Sequence, residues 1–247
     1  MEVIQMTDSY EMYEKKNCIF FQTNPEWGQG DSEGKAKKLF SLMRKRNIRI
    51  NTVAEIGCGP GGVLVNLQKL MPPETLFMGY DISEDAIELA RPKSNGQLTF
   101  HRGNFLEQSI HVDLLVMADV FEHVDDYYSF LRQAQSKADH FLFSIPLGIS
   151  IRTLLFPGSL ERSQASNGHI HHFSEKTAFL ALQHAGYEVI DFCFMSFILD
   201  FRRKMKMHHY LFWRPQLALL GRRWSSLLSG GCVLGVYARP KKQEPNQ

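Results

Sequence analysis

A short apolar run that ends in a carboxylate and then in a glycine-rich turn constrains this chain more than any other feature. Val53-Ala54-Glu55-Ile56 leads into Gly57-Cys58-Gly59-Pro60-Gly61-Gly62, and a helical apolar face follows at Val63, Leu64, Leu67, Leu70 and Met71. Glycines at a strand-to-helix junction let the backbone turn tightly and approach a ligand with no Cβ in the way. The helix that starts there aims its free N–H groups and positive dipole end at an anion. A second strand-like run, Phe77-Met78-Gly79-Tyr80, ends in Asp81. That acid falls about 20 residues on, where a nucleotide-binding α/β unit holds a ribose.

The pairing implies a ligand that carries an adenosine. Gly57, Gly59 and Gly62 satisfy G-x-G-x-x-G, so a dinucleotide is one reading, although the pattern alone is weak. Glu55 argues against it, because its charge would sit beside a pyrophosphate; it suits a ligand with a cationic end. Too little chain precedes the loop for a separate dehydrogenase substrate domain. The Tyr-x-x-x-Lys spacing of short-chain dehydrogenases occurs only at Tyr237 and Lys241, near the C-terminus.

Periodicity places strands at Thr52–Ile56, Leu76–Tyr80, Gln97–His101, Val112–Ala118, Phe141–Ile145, Glu188–Met195 and Cys232–Ala238. Between them fall helices, including a stripe of Ala36, Leu39, Phe40, Leu42 and Met43 capped by Asp31-Ser32-Glu33. Ser83 caps the helix that Pro92 ends, a further helix falls near Asp126–Lys137, and Ser174 caps the one that Gly186 closes. Alternating strand and helix predicts a parallel, doubly wound sheet, and unbroken apolar strands such as Leu114–Ala118 fit burial on both faces. Two segments, 147–168 and 197–231, exceed ordinary loop lengths and are where substrate recognition is expected.

Hydrophobic residues at 44 % and charged residues at 22 % of 247 residues suit one large α/β domain. No apolar run approaches the ~18–20 residues needed to cross a bilayer, and the first residues lack a signal core, so a cytoplasmic location is expected. Cys18, Cys58, Cys193 and Cys232 are widely spaced, as reduced thiols rather than a disulfide frame or zinc site. Charge is divided unevenly. Residues 1–200 carry 18 Lys/Arg and 25 Asp/Glu, a net of −7, whereas residues 201–247 carry 10 and 1, a net of +9.

Glu55–Gly61 resembles the first motif of class I S-adenosylmethionine-dependent methyltransferases, and Gly79-Tyr80-Asp81-Ile82-Ser83 the second. Asp119-Val120-Phe121-Glu122-His123-Val124 resembles the segment after strand 4 in small-molecule members, including ubiquinone-pathway O-methyltransferases. His169-Ile170-His171-His172-Phe173-Ser174 and Ala185-Gly186-Tyr187-Glu188-Val189 are similar to later motifs of that group. More distantly, the chain resembles methyltransferases of bacterial surface-sugar pathways. The resemblance implies a Rossmann-like, doubly wound, mostly parallel seven-stranded sheet with helices on both faces. The expected organisation is an N-terminal arm at 1–30, a methyltransferase domain at 31–240 with insertions at 147–168 and 197–231, and a disordered tail at 241–247. S-adenosylmethionine is the implied cofactor. Gly57, Cys58, Gly59 and Gly61 would line its methionine part and Glu55 would lie near the cationic end. Asp81 would take both ribose hydroxyls. Ile82 and Phe105 would flank the adenine, with Asn104 on its amino edge, and Asp119 joins the cofactor-binding set. Asn104 stands where many relatives carry Asp, and the alternative for it is a turn residue that satisfies its own backbone.

Methyl transfer from a sulfonium asks a protein for positioning, plus a base when the nucleophile is a hydroxyl. Asp119, Glu122 and His123 follow strand 4 at the edge where open α/β sheets bind ligands, and the 169–172 histidines lead towards it. His123, then His172, then His169 are the candidate bases; each is also readable as a core histidine with satisfied nitrogens. A divalent metal on Asp119, Glu122, His123 and His172 is the less favoured alternative to a metal-free site. The expected acceptor is a small molecule, a glycan precursor or a lipid-linked molecule. RNA methylation is an alternative prompted by the basic C-terminal part, but neither an Asn-Pro-Pro-Tyr motif nor an RNA-binding motif occurs. A non-catalytic cofactor-binding regulatory subunit is another. In 197–231, Arg202, Arg203, Lys204 and Lys206 interleave with apolar residues, as in a helical lid or a peripheral contact with the inner face of the membrane. Pro215 would divide that segment.

Overall fold

All seven predicted strands are present and pair into one sheet. The computed structural model describes residues 29–46, 48–195 and 222–241. Strands β1 (Thr52–Ile56), β2 (Leu76–Asp81), β3 (Leu98–Arg102), β4 (Val112–Ala118), β5 (Ala138–Leu147), β6 (Tyr187–Met195) and β7 (Cys232–Pro240) take the order β3-β2-β1-β4-β5-β7-β6. Neighbours from β3 to β5 are parallel, and β7 inserts antiparallel between β5 and β6. Strand order reverses between β1 and β4. An open α/β sheet leaves its ligand crevice at that reversal, outside the carboxyl ends of the strands.

Helices α1 (Ser32–Arg44), α2 (Gly62–Gln68), α3 (Glu84–Ala90), α4 (Tyr127–Gln135), α5 (Ile151–Leu155), α6 (Ser159–Asn167), α7 (Glu175–His184) and α8 (Arg222–Ser229) accompany the sheet. Side chains alternate across each strand, so β4 and β5 feed two cores. Leu115, Met117, Phe141 and Phe143 enter one with Leu131 of α4 and Leu182 of α7. Leu114, Val116 and Leu142 enter the other with Leu39 of α1, Leu64 of α2 and Ile87 of α3. Burial on both faces explains why these strands read as unbroken apolar runs.

The local capping signals act as the sequence predicts at α3, where Ser83 accepts from Ala86, and at α7, where Ser174 accepts from Thr177. At α1 they do not. Asp31 makes no cap bond, and its carboxylate lies 3.7 Å from the Lys35 ammonium one turn on. Residues 147–168 hold two short helices rather than a long loop. Ser150 and Thr153 form a capping box at α5, and Gly158 and Gly168, both left-handed, bound α6. The arm expected at 1–30, the part of 197–231 before residue 222 with Arg202, Arg203, Lys204 and Lys206, and the tail at 241–247 fall almost wholly outside the described residues.

Candidate active site

The crevice floor begins with the glycine turn. Gly57 has φ +65°, and a Cβ there would lie 2.6 Å from a methyl of Val120, so sterics and conformation both demand glycine. Gly61 has φ +81°, and a Cβ there would run into the Phe100 ring. Cys58 turns its thiol into the core beside Gly79, where burial pushes its pKa well up, and leaves its backbone to the turn. Asp81, at the end of β2, locks the turn in place. Its Oδ2 accepts from the Gly59 N–H at 2.8 Å and its Oδ1 from the Ser83 N–H at 2.8 Å. A carboxylate offers about four acceptor positions, so these two bonds leave capacity for a diol. Glu55, one residue before the end of β1, is buried, and its Oε2 has no partner. Burial raises its pKa well above the usual range; the Lys35 ammonium opposes that rise, and the Asp81 and Asp119 charges add to it.

Asp119 faces Glu55 from the end of β4. Among the described residues it is the one non-glycine with a left-handed backbone, at φ 56°. Two groups hold its carboxylate: Oδ1 accepts from the Ser144 hydroxyl of β5 at 2.6 Å, and Oδ2 is ion-paired with the Lys35 ammonium. Lys35 comes from α1 and is 7 % exposed. Burial disfavours its charge, but the carboxylates of Asp119, Asp31 and Glu122 outweigh burial and raise its pKa. Neither Lys35 nor Ser144 is in the residue set expected from the motifs. A trace of Lys35 was available, because it shares the helical register of Leu39 and Leu42, where an amphipathic helix carries its buried face.

The turn Phe121–His123 follows directly. Glu122 is fully buried, and neither of its carboxylate oxygens has a partner. Burial raises its pKa well above normal, Asp119 adds to the rise, and Lys35 opposes it. Its backbone carbonyl accepts from the N–H groups of Ile170 at 3.1 Å and His171 at 3.0 Å, which docks the 169–172 stretch on the end of β4. His123 Nδ1 bonds to the Gly168 carbonyl at 2.9 Å. With Nδ1 as the donor, Nε2 is the basic nitrogen of that ring. Burial lowers the His123 pKa below 6.5. The His169 ring lies 5.0 Å from that of His123, and burial, with the other two histidines adding, lowers its pKa to about 4. His171 is committed to the Val124 and Asp125 carbonyls. His172 packs on Gly148 with Nδ1 buried and unpartnered, and burial lowers its pKa too.

The ligand atoms of Glu122, His123 and His169 lie within 4.8 Å of one another. Of the set expected for a metal, Glu122 and His123 are therefore together, and His169 rather than His172 completes the group. Asp119 is engaged by Lys35 and Ser144. On the adenosine side, Ile82 is half-buried just past Asp81. Asn104 Oδ1 accepts from the Leu106 N–H at 3.0 Å and its amide donates to Glu107 at 3.1 Å. The Phe105 ring is wholly in the core, 5.1 Å from the Tyr80 ring, so the 104–106 turn presents Asn104 rather than that ring to solvent.

A family model for the methyltransferase domain matches residues 29–191, a span that holds the glycine turn, Asp81, Asp119 and the histidines. The chain belongs to that family. Solved structures repeat the fold of this methyltransferase at low identity. A chain of the complex between the Haloferax volcanii Trm112 methyltransferase activator and a methyltransferase is 14 % identical with a TM-score of 0.61, covering 91 % of this chain and 99 % of that one. Magnesium protoporphyrin IX methyltransferase from Synechocystis PCC 6803, with bound S-adenosylhomocysteine, is 15 % identical with a TM-score of 0.57, covering 94 % and 92 %. Mitomycin 7-O-methyltransferase is 15 % identical with a TM-score of 0.62, covering 96 % and 61 %. No curated protein sequence matches the methyltransferase significantly.

Proposed function

We propose that this methyltransferase moves the methyl group of S-adenosylmethionine onto a hydroxyl oxygen of a small molecule, a glycan precursor or a lipid-linked acceptor. The observation that carries the donor is the acidic floor beneath the glycine turn. Glu55, Asp81, Asp119 and Glu122 gather where the strand order reverses, and Glu55 keeps an oxygen without a partner. Lys35 balances part of that charge; a cationic ligand beside Glu55 would favour its ionised form, whereas a pyrophosphate would be repelled. Asp81 takes the ribose hydroxyls, the backbone of Gly57, Cys58, Gly59 and Gly61 lines the methionine part, and Ile82 and Asn104 border the adenine.

S-adenosylmethionine held there would supply a methyl group on a positively charged sulfur, which would keep the S–CH₃ bonding pair as the acceptor oxygen displaces it. The hydroxyl proton passes to His123 Nε2, which the Gly168 carbonyl orients through Nδ1. Calorimetry tests the donor directly. Wild-type protein should bind S-adenosylmethionine and S-adenosylhomocysteine, and Asp81→Ala should weaken both by about 1–3 kcal/mol, the cost of leaving buried hydroxyls unpaired. Tight NADH binding with no binding of S-adenosylmethionine would sink the assignment.

A second reading for the acceptor side rests on the Glu122, His123 and His169 group. A buried carboxylate with two bare oxygens beside two imidazoles suits Zn²⁺ or Mn²⁺. A metal held there would lower the pKa of a bound acceptor hydroxyl and make a separate base unnecessary.

A further inference from the structure

The face formed by α5 and α8 exposes a group of large apolar side chains. Leu154 is 66 % exposed, Leu155 71 %, Phe156 60 % and Trp224 57 %, with Ile151 and Leu227 beside them. These are not scattered single residues. α8 packs against α5, and the Ser150 cap of α5 sits under Gly230, where an added Cβ would lie 3.0 Å from its hydroxyl. Contiguous exposed apolar patches of this kind mark interaction surfaces.

The patch adjoins the candidate active site. α5 starts just after β5 ends, Gly148 lies against His172, and the Ile149 N–H bonds to the Phe173 carbonyl at 3.0 Å. The charge around it is net positive. Residues 148–168 and 222–231 contain Arg152, Arg162, Arg222 and Arg223 against Glu161, with Arg223 also paired to Glu175 at 2.9 Å. A two-fold contact between copies of this chain would set that arginine-rich patch against itself, a like-charge arrangement. Anionic headgroups meet it with opposite charge, while Leu, Phe and Trp side chains enter the acyl boundary.

We propose that α5 and α8 form a membrane-docking surface that seats the enzyme on an anionic bilayer with its cleft at the lipid boundary. A hydroxyl acceptor bearing a lipid tail then reaches His123 without leaving the membrane. The docking surface stands on its own, and the acceptor's identity rests on the hydroxyl-methylation reading given above.

Sedimentation of the full chain with vesicles tests it. At low salt the protein should pellet with phosphatidylglycerol vesicles, should not pellet with phosphatidylcholine vesicles, and should be released as salt rises. Leu154→Asp with Leu155→Asp, and separately Trp224→Ser, should lower the bound fraction at least tenfold. Their affinity for S-adenosylmethionine should match wild type, which shows that the variants are folded. Absence of binding to phosphatidylglycerol, or binding that survives both variants, overturns the proposal. So does a concentration-dependent dimer that both variants abolish without any vesicle binding. Vesicle binding intact in a protein that ignores S-adenosylmethionine would instead refute the donor reading and leave the docking surface standing.

Discussion

The Lys35 ammonium meets the Asp119 carboxylate across 84 residues of chain and joins α1 to the end of β4. The contact sets the shape of the crevice floor. Asp119 holds a left-handed backbone that costs a non-glycine residue free energy, and it persists because Lys35 and Ser144 both anchor its side chain.

Lys35→Met removes the cation from among Asp31, Asp119 and Glu122. Breaking a wholly buried pair costs about 3–5 kcal/mol. The Asp119 side chain keeps 31 % exposure, so water takes up part of its charge. A loss of about 2 kcal/mol in urea unfolding at pH 7 is therefore expected. The sign with pH follows from the raised lysine pKa. The stabilisation is fully present below the unfolded value of about 10.4 and is lost as pH rises through the folded one. An unchanged urea midpoint at neutral pH would show that the pair contributes nothing.

Gly57→Ala adds a Cβ at φ +65° and 2.6 Å from Val120. A destabilisation of about 1–3 kcal/mol is expected from strain and clash together. The double variant with Val120→Ala should recover the clash and not the backbone strain, which is worth roughly 1–2 kcal/mol for an L residue in that region. Full recovery in thermal unfolding would mean that the backbone conformation was never at issue.

His123 acts as a base only when neutral, and burial holds its pKa below 6.5. With the identified acceptor, kcat should climb with pH on the acid side and already be level at neutrality. His123→Ala should lower kcat by about 10²–10⁴ with little change in affinity for S-adenosylmethionine. Burying a neutral histidine also ties stability to pH: this contribution is present above about 6.5 and is lost as pH falls through the lower folded value. Wild-type turnover in the variant would remove His123 from the chemistry.

Glu122→Gln separates the base from the metal. If the Glu122, His123 and His169 group carries a metal, the purified protein should contain close to one equivalent by elemental analysis, and Glu122→Gln should lose it. Exhaustive chelation should then abolish turnover, with Zn²⁺ or Mn²⁺ restoring it. Metal-free protein that keeps full turnover after chelation leaves His123 as the base.

Much of the fold was legible because its signals are local. Periodicity located every strand, and Ser83 and Ser174 cap the helices that begin beside them. The two short helices in 147–168 escaped that reading. Helices α5 and α6 of five and nine residues carry too few turns to impose a period, and their capping box and flanking glycines were the surviving cues. Asn104 was legible in both of its roles: its motif position suggested a ligand contact and its residue type a turn, and its Oδ1 accepts from the Leu106 N–H two residues on.

By itself the sequence determined the glycine turn, the carboxylate of Asp81 beneath it and the alternation that makes a doubly wound sheet. Each depends on backbone preferences and side-chain spacing within a few residues. Only the tertiary structure decided that β7 inserts antiparallel between β5 and β6, that Lys35 reaches Asp119, and that His169 rather than His172 joins Glu122 and His123. Those outcomes depend on long-range strand pairing and side-chain packing, and residues so far apart in the chain share no local period that could announce them.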